Sequence, residues 1–251
     1  MAVWPVGMRA GSLAALTVQT DGSGAASAAH LDTAKEYFDR ARKLGFPAAA
    51  DGSPYALRAE FTTRGNSGTV QMGSYTDIWM NEKQWRREAV LGKSRFVRSQ
   101  NGKRFYRVTE GPDADLLQFV LTVMEPIPTT EHFVERNWKV SRESVGGAET
   151  VRVSTGREMP EGTPEADDFA AYWFDESGQL VRLHQNSMEA RRSRFEDFNG
   201  TSVARRVEVL LRGKVGMRID VTGLGPAGSV DSGLFTMKGH DWRQRYGDEI
   251  R

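Results

Sequence analysis

The sequence predicts a mainly β chain of the α+β class, built on one curved antiparallel sheet of about ten or eleven strands. Three observations carry this. Val203, Val207, Val209 and Leu211 recur at even spacing around Arg206 and Glu208, and after Gly213 the pattern restarts as Val215, Met217, Ile219 and Val221. Such period-two alternation marks strands with one face buried and one wet. The junction at Arg212-Gly213-Lys214 is short enough to fold the pair into a hairpin. Only two segments, near residues 31–44 and 113–124, switch to helical spacing.

Leu31, Ala34, Phe38, Ala41 and Leu44 share one helix face, and Gly45 followed by Pro47 ends it. Strands follow from Tyr55 to Thr63, from Thr69 to Met80 and from Gln84 to Leu91. Asn101-Gly102 is the preferred pair for a two-residue hairpin, which would set Gln100 opposite Lys103 and Phe96 opposite Arg107. Neither face of that hairpin is cleanly apolar. Gly111-Pro112 stops the strands, and Asp113 is placed to cap a second helix whose stripe is Leu116, Leu117, Val120, Leu121 and Met124. Strands resume at Phe133–Ser144, Thr150–Ser154, Phe169–Phe174, Leu180–Gln185 and Ser193–Phe198, with a polar loop over Gly156–Asp167.

Composition narrows the chemistry. Thirty-four basic and thirty-three acidic side chains nearly cancel, so charge names no polyanionic partner. There is no cysteine, which excludes disulfides, thiolate metal sites and a cysteine nucleophile. No run approaches the roughly 20 apolar residues of a membrane span. Residues 1–30 read as a disordered tail or a weak export signal: Arg9 precedes a diluted apolar run from Ala10 to Val18, and Ala26-Ser27-Ala28 resembles a cleavage site. His30, His132, His184 and His240 are scattered without metal-ligand spacing, and no nucleophile elbow or phosphate loop is present. No catalytic set, metal or cofactor is expected. Arg86, Arg87, Lys93, Arg95, Arg98, Lys103, Arg104 and Arg107 interleave with Phe96, Phe105 and Tyr106, a pattern that can bind single-stranded nucleic acid. The near-zero net charge instead favours a solvated sheet face, and argues against a nucleic-acid partner.

Phe61, Val70, Met72, Ile78, Met80 and Trp85 have the composition of a greasy cavity wall and equally that of an ordinary core. Alternation alone does not separate the two. Adjacent strand residues point to opposite faces, so one of Arg86 and Arg87 must aim inward. Trp85, Arg87, Ala89 and Leu91 share a face, which selects Arg87. Its guanidinium suits carbonyls at a helix C-terminus, or it snorkels to water at the sheet rim.

The order of these elements resembles the periplasmic lipoprotein-carrier family of the LolA and LolB type. The residues that carry the resemblance are Trp79 with Trp85-Arg86-Arg87, the Asn101-Gly102 hairpin and the Asp113–Met124 helix between two strand blocks. Tyr172-Trp173-Phe174-Asp175 with Gly178 follows, then Phe195-Glu196-Asp197-Phe198, and last Asp231 with Leu234-Phe235. The resemblance implies an incomplete barrel covered by the interposed helix and the N-terminal helix, forming a single half-barrel domain over residues 31–251. It implies a non-enzymatic envelope carrier, in the periplasm, that binds a lipid chain or lipidated protein against Phe61, Val70, Met72, Ile78, Met80, Trp85, Leu117, Val120 and Leu121. It also implies that Arg87, with Arg86 second, tethers the helical lid. The alternative is an interaction or sensing module on the same scaffold, bound to another envelope protein and holding no lipid. The missing cysteine departs from the family's lipid-anchored receptors, and the charged end at Arg251 leaves a longer envelope protein open.

Overall fold

The computed structural model describes residues 32–64, 69–125, 127, 138–155, 170–185, 188–211, 213–238 and 240–241. The expectations for residues 1–30, Leu31, Phe133–Asn137, the loop at 156–167 and Arg212 lie outside them. Chain order is α1 (Ala34–Gly45), β1 (Tyr55–Arg64), β2 (Val70–Asn81), β3 (Gln84–Leu91), β4 (Ser94–Asn101), β5 (Arg104–Glu110) and α2 (Ala114–Met124). It continues with β6 (Trp138–Val145), β7 (Ala148–Thr155), β8 (Ala170–Phe174), β9 (Leu180–Gln185) and β10 (Met188–Phe198). The last elements are β11 (Thr201–Leu211), β12 (Lys214–Pro226), a 3-10 turn (Ser232–Phe235) and β13 (His240–Asp241).

All thirteen strands form one sheet, in the order β13-β5-β4-β3-β2-β1-β12-β11-β10-β9-β8-β7-β6. Every neighbouring pair is antiparallel. The count exceeds the expected ten or eleven, and the two-residue β13, which pairs with β5, is one strand the sequence pattern did not mark. Laid flat at about 4.8 Å per strand, such a sheet would span roughly 58 Å. Yet α1 touches both β6 and β11, five strands apart, and α2 touches β3 and β4 while accepting a hydrogen bond from Arg192 of β10. A helix about 10 Å wide reaches such distant strands only if the sheet curls around it. The result is an open barrel with its helices on the inner face. One hydrophobic cluster joins both helices to strands from β1 to β12, including Phe38, Phe61, Phe96, Leu117, Phe174 and Ile219.

Both helices form where their stripes predict. Thr33 caps α1, its side chain accepting from the Glu36 N–H while the Glu36 carboxylate accepts from the Thr33 N–H, a reciprocal box. Its buried face is Ala34, Tyr37, Phe38 and Ala41. Asp113 stands at the N-cap of α2 but does not cap it with its side chain. That carboxylate accepts from Ser94 Oγ at 2.8 Å instead, pinning the helix start to β4.

The β4–β5 hairpin departs from expectation. Asn101 pairs with Arg104 and Gln100 with Phe105, so Gly102 and Lys103 form the loop. Gly102 sits at φ +62°, a conformation glycine adopts without a Cβ penalty, and this draws the turn one residue along. Faces are conserved under that change, since cross-strand partners move by two. The hairpin lacks a clean apolar side because both sides are covered. Phe96 and Phe105 face the helices, while Val97, Ser99 and Tyr106 lie buried on the outer face. There the segment after β12 crosses β3 and β4 with Phe235 buried. Ser99 Oγ donates to the Phe235 carbonyl at 2.9 Å, and Arg86 Nη1 to the Leu234 carbonyl at 3.0 Å.

Arg86 also donates to Glu88, which takes a second bond from Arg95. Burial pushes the Glu88 carboxyl up, but the two guanidinium bonds outweigh it and hold the group below its ordinary range. Its folded value lies below its unfolded one, so its contribution is present above about pH 4.5 and lost as pH falls through the folded value. Stability measured by urea between pH 6 and 3 should therefore fall less steeply in Glu88→Gln than in the parent chain. A second expectation concerns Gly73, where an added Cβ would lie 2.2 Å from the Phe61 ring and 2.5 Å from the Val90 carbonyl. Gly73→Ala should destabilise by about 2 kcal/mol or more. The neighbouring, exposed Met72→Ala should stay within about 0.5 kcal/mol in the same titration.

Candidate functional site

The C-terminal ends of α1 and α2 meet over the inner face of β1–β3 and β9–β11, and a cavity of about 70 Å³ lies between them. That is room for a handful of waters. Its wall is apolar at Phe46, Leu57, Met124, Ile127, Leu180 and Phe195, and charged at Arg42, Asp77, Arg87, Glu125 and Arg192. Charges this far inside survive only when paired, so the pairing defines the site.

Arg87 stands at its centre. Strand β3 places it inward, directly across from Asp77 of β2, and Nε lies 3.3 Å from the Asp77 carboxylate. Nη1 donates to Glu125, the residue that caps α2 at its C-terminus. The guanidinium carbon lies 4.7 Å from the centre of the Trp85 ring, whose Nε1 donates to Gln100 at 2.9 Å. Burial opposes the charge on Arg87, but Asp77 and Glu125 outweigh it and push its pKa well above the ordinary value. Tyr55 donates to the same Asp77 oxygen at 2.9 Å, and burial followed by the Asp77 charge keeps that phenol protonated. Burial does the same for Tyr75, one turn of pleat away. Farther along α2, Arg107 donates to Gln118 at 2.9 Å. From the far arm of the sheet, Arg192 Nη1 donates to the Val123 carbonyl at 3.1 Å. Strands β3, β5 and β10 thus all hold the same helix.

The inward placement expected of Arg87 is what the structure has, with one change of partner: the helix end is reached through the Glu125 carboxylate rather than through carbonyls. Arg86 is corrected. It lies on the outer face and holds the 232–235 segment, since the strand pleat sends neighbours to opposite sides. Leu117, Val120 and Leu121 face the sheet at 2 % exposure or less, with Leu116 partly buried. Trp85 flanks the latch from the inner face. Phe61 is fully buried, its ring packed over Gly73 rather than lining an open space.

The placement of Val70, Met72, Ile78 and Met80 on the cavity wall is corrected as well. The pairings Tyr55–Trp79 and Phe61–Gly73 bring the odd-numbered residues of β2 inward, so these four face outward. Val70 and Met72 are 56 % and 68 % exposed, and Ile78 and Met80 partly buried. Asp77 caused the misassignment: an acid in the middle of the Tyr75-Asp77-Trp79 row made the true inner face look like the wet one. Missed altogether were Asp77, Glu125, Tyr55, Arg42 and Arg192. An acid flanked at i±2 by aromatics, on the strand beside an inward arginine, was the available signal for Asp77. Arg192 lies in an Arg-rich run that alternation reads as surface. Among the described residues, no three His, Asp or Glu side chains are grouped to hold a metal ion.

No protein-family profile matches the chain, and no curated protein matches it. Solved structures do. A DUF1329 family protein from Desulfovibrio piger superposes with a TM-score of 0.51 at 14% identity, over 82% of this chain and 98% of that one. A LolA superfamily protein from Nitrosomonas europaea gives 0.43 at 10% identity, over 82% and 99%. The MucA/MucB complex of Pseudomonas aeruginosa gives 0.32 at 11% identity, over 81% and 60%. At these identities the likeness is one of fold. The open antiparallel sheet with its inner helices is the fold it shares with the DUF1329 family protein.

Because Arg87 is buried between two acids, Arg87→Leu leaves both uncompensated and should cost about 3–5 kcal/mol in urea unfolding. Neutralising the acids as well, in Arg87→Leu/Asp77→Asn/Glu125→Gln, should recover most of that loss. A triple variant no more stable than the single one would show that the acids do not depend on Arg87.

Proposed function

We propose that the chain is a non-enzymatic carrier of the cell envelope that shelters a lipid chain, or the acyl chain of a lipidated protein, beneath α2. The observation that supports this is the way α2 is seated. Its apolar stripe covers the inner face of β3 and β4, while its C-terminal end rests on a polar latch beside the cavity. An acyl chain covers the same kind of surface as that stripe, so the two are exchangeable. The cavity itself is far too small for a whole chain, and entry requires α2 to move aside. Four buried side chains, Leu117, Val120, Leu121 and Val123, represent about 2 kcal/mol each, or about 8 kcal/mol together. Buried methylenes return about 0.8 kcal/mol each, so roughly ten are needed to offset the stripe. The carrier reading places the chain in the periplasm or envelope. No helix of the described residues is long and apolar enough to cross a membrane.

A second reading, an envelope interaction or sensing module without lipid, draws on a different observation. Val70 and Met72 stand exposed side by side on the outer face at the start of β2. Their place is remote from the latch, so the two readings separate by mutation. Under the interaction reading, Val70→Ser/Met72→Ser impairs partner binding and leaves probe uptake untouched.

The carrier reading is tested by displacing a hydrophobic fluorescent probe with neutral alkyl maltosides of 8 to 16 carbons. Displacement should be weak at 8 carbons, appear near 10 to 12 and strengthen with length. Glu125→Gln, which removes one arm of the latch and leaves Arg87 its ion pair with Asp77, should raise probe binding several-fold. No probe uptake in either protein at any chain length would overturn the reading.

A further inference from the structure

The cavity wall is rich in hydrogen-bond donors, and among the described residues its one buried side-chain oxygen without a hydrogen bond is Asp77 Oδ1. Asp77 and Glu125 both serve Arg87, and Asp77 serves Tyr55 besides. Gln179 and Ser202 satisfy each other, Gln179 Nε2 donating to the Ser202 carbonyl at 2.7 Å and Ser202 Oγ to Gln179 Oε1 at 3.2 Å. Arg192 carries five N–H donors, and its described hydrogen bond uses one nitrogen, on the Val123 carbonyl. Arg42 lies with its guanidinium carbon 4.6 Å from the centre of the Phe46 ring. Among the described residues, neither has a carboxylate within ion-pair distance. Three cations therefore face two acids around one cavity, and a single cation, Arg87, engages both acids in direct contact. The helix ends offset part of this excess, but the carbonyl of α2 nearest Arg192 already accepts its bond. Burial lowers the proton affinity of both unpaired guanidiniums, that of Arg192 to about 10, so both stay charged at neutral pH.

Arginines that only balanced helix ends would be spent on carbonyls. Arg192 spends only Nη1 on one, Arg42 spends no nitrogen on a described acceptor, and both line the cavity beside the apolar side chains of Met124, Ile127, Leu180 and Phe195. A molecule complementary to this arrangement carries anionic oxygens at one end and methylenes at the other. We propose that the cavity receives the anionic head, a carboxylate or a phosphate, of a single-chain amphiphile, with Arg192 as its principal donor and Arg42 as the second. This rests on the carrier reading and adds to it the charge of the ligand: the head enters beneath the ends of α1 and α2, and the chain follows the seat that α2 vacates.

The test compares laurate and dodecyl phosphate with dodecyl maltoside, and with acetate and inorganic phosphate, as competitors of the fluorescent probe on the full chain at low salt. Both charged dodecyl compounds should compete at about tenfold lower concentration than the maltoside, the scale expected of charge-assisted hydrogen bonds. Arg192→Gln should erase that preference, read as the ratio of laurate to maltoside affinity within one protein, because loosening the hold of β10 on α2 shifts both ligands alike. Arg42→Gln should weaken the preference in part. Equal affinity for laurate and the maltoside would overturn the inference and leave the carrier reading standing. Failure of every dodecyl compound would remove both. Competition by acetate or phosphate as strong as by laurate would make this a free-anion site, and would overturn the amphiphile proposal.

Discussion

A single buried guanidinium decides how the inner face is built. An arginine on the concave side of a strand cannot stand alone there, because an isolated charge in that setting costs far more than a strand gains. Arg87 is therefore tied to Asp77 on the neighbouring strand and to Glu125 at the end of α2, and Asp77 in turn accepts from Tyr55 on β1. This chain of contacts runs across three strands and onto a helix. It allows one register only: a slip of one residue between β2 and β3 would send Arg87 or Asp77 to the other face and strand its partner. The stacked rings of Tyr55 and Trp79, 5.9 Å apart, close over the same pairs.

The neighbouring arginine does the opposite service on the opposite side. Arg86 and Arg87 are adjacent in sequence, and the pleat divides them, each to a separate cover. Arg87 holds α2 over the inner face; Arg86 holds the 232–235 segment over the outer one. This explains why β3 and β4 bury residues on both sides, with Phe96 inward and Val97 and Ser99 outward, all fully buried. It also explains the sheet's edge. The segment anchored by Arg86 and Ser99 continues into β13, which pairs with β5 and covers backbone groups that an edge strand would otherwise leave open.

Much of this was legible in the sequence, and the failures share one cause. Period-two alternation located the strands, and i, i+3, i+4 spacing located both helices, because each rests on local geometry. The inward aim of Arg87 was legible from Trp85, Ala89 and Leu91 on its face. What misled was the assumption that a buried face is an apolar face. On β2 the inner row is Tyr75, Asp77 and Trp79, and the outer row Val70, Met72, Ile78 and Met80 scores as greasier. On β4 and β5 the mixed pattern reflects two covers, one of them arriving from more than a hundred residues later in the chain. Arg192 was invisible for the same reason: its partner is a helix carbonyl supplied by tertiary structure, and no sequence spacing records it.

The polar grip on α2 bears on how the helix can act as a cover. Buried ion pairs contribute little net stability compared with apolar contacts of the same size, since desolvation consumes most of the attraction. What they supply is position. An apolar stripe of Leu117, Val120, Leu121 and Val123 would pack nearly as well one turn along, whereas the Glu125 carboxylate, the Gln118 amide and the Val123 carbonyl each meet a fixed donor, on β3, β5 and β10 respectively. A cover held mainly by its apolar stripe and located by its polar ends has two separable properties. Under the carrier reading, another apolar chain takes the place of the stripe, and the polar ends return the helix to one place when that chain leaves. Arg192 then holds a double position, since the guanidinium that meets the helix carbonyl also faces the cavity. Displacing α2 frees that donor just where a ligand's anionic head would need it.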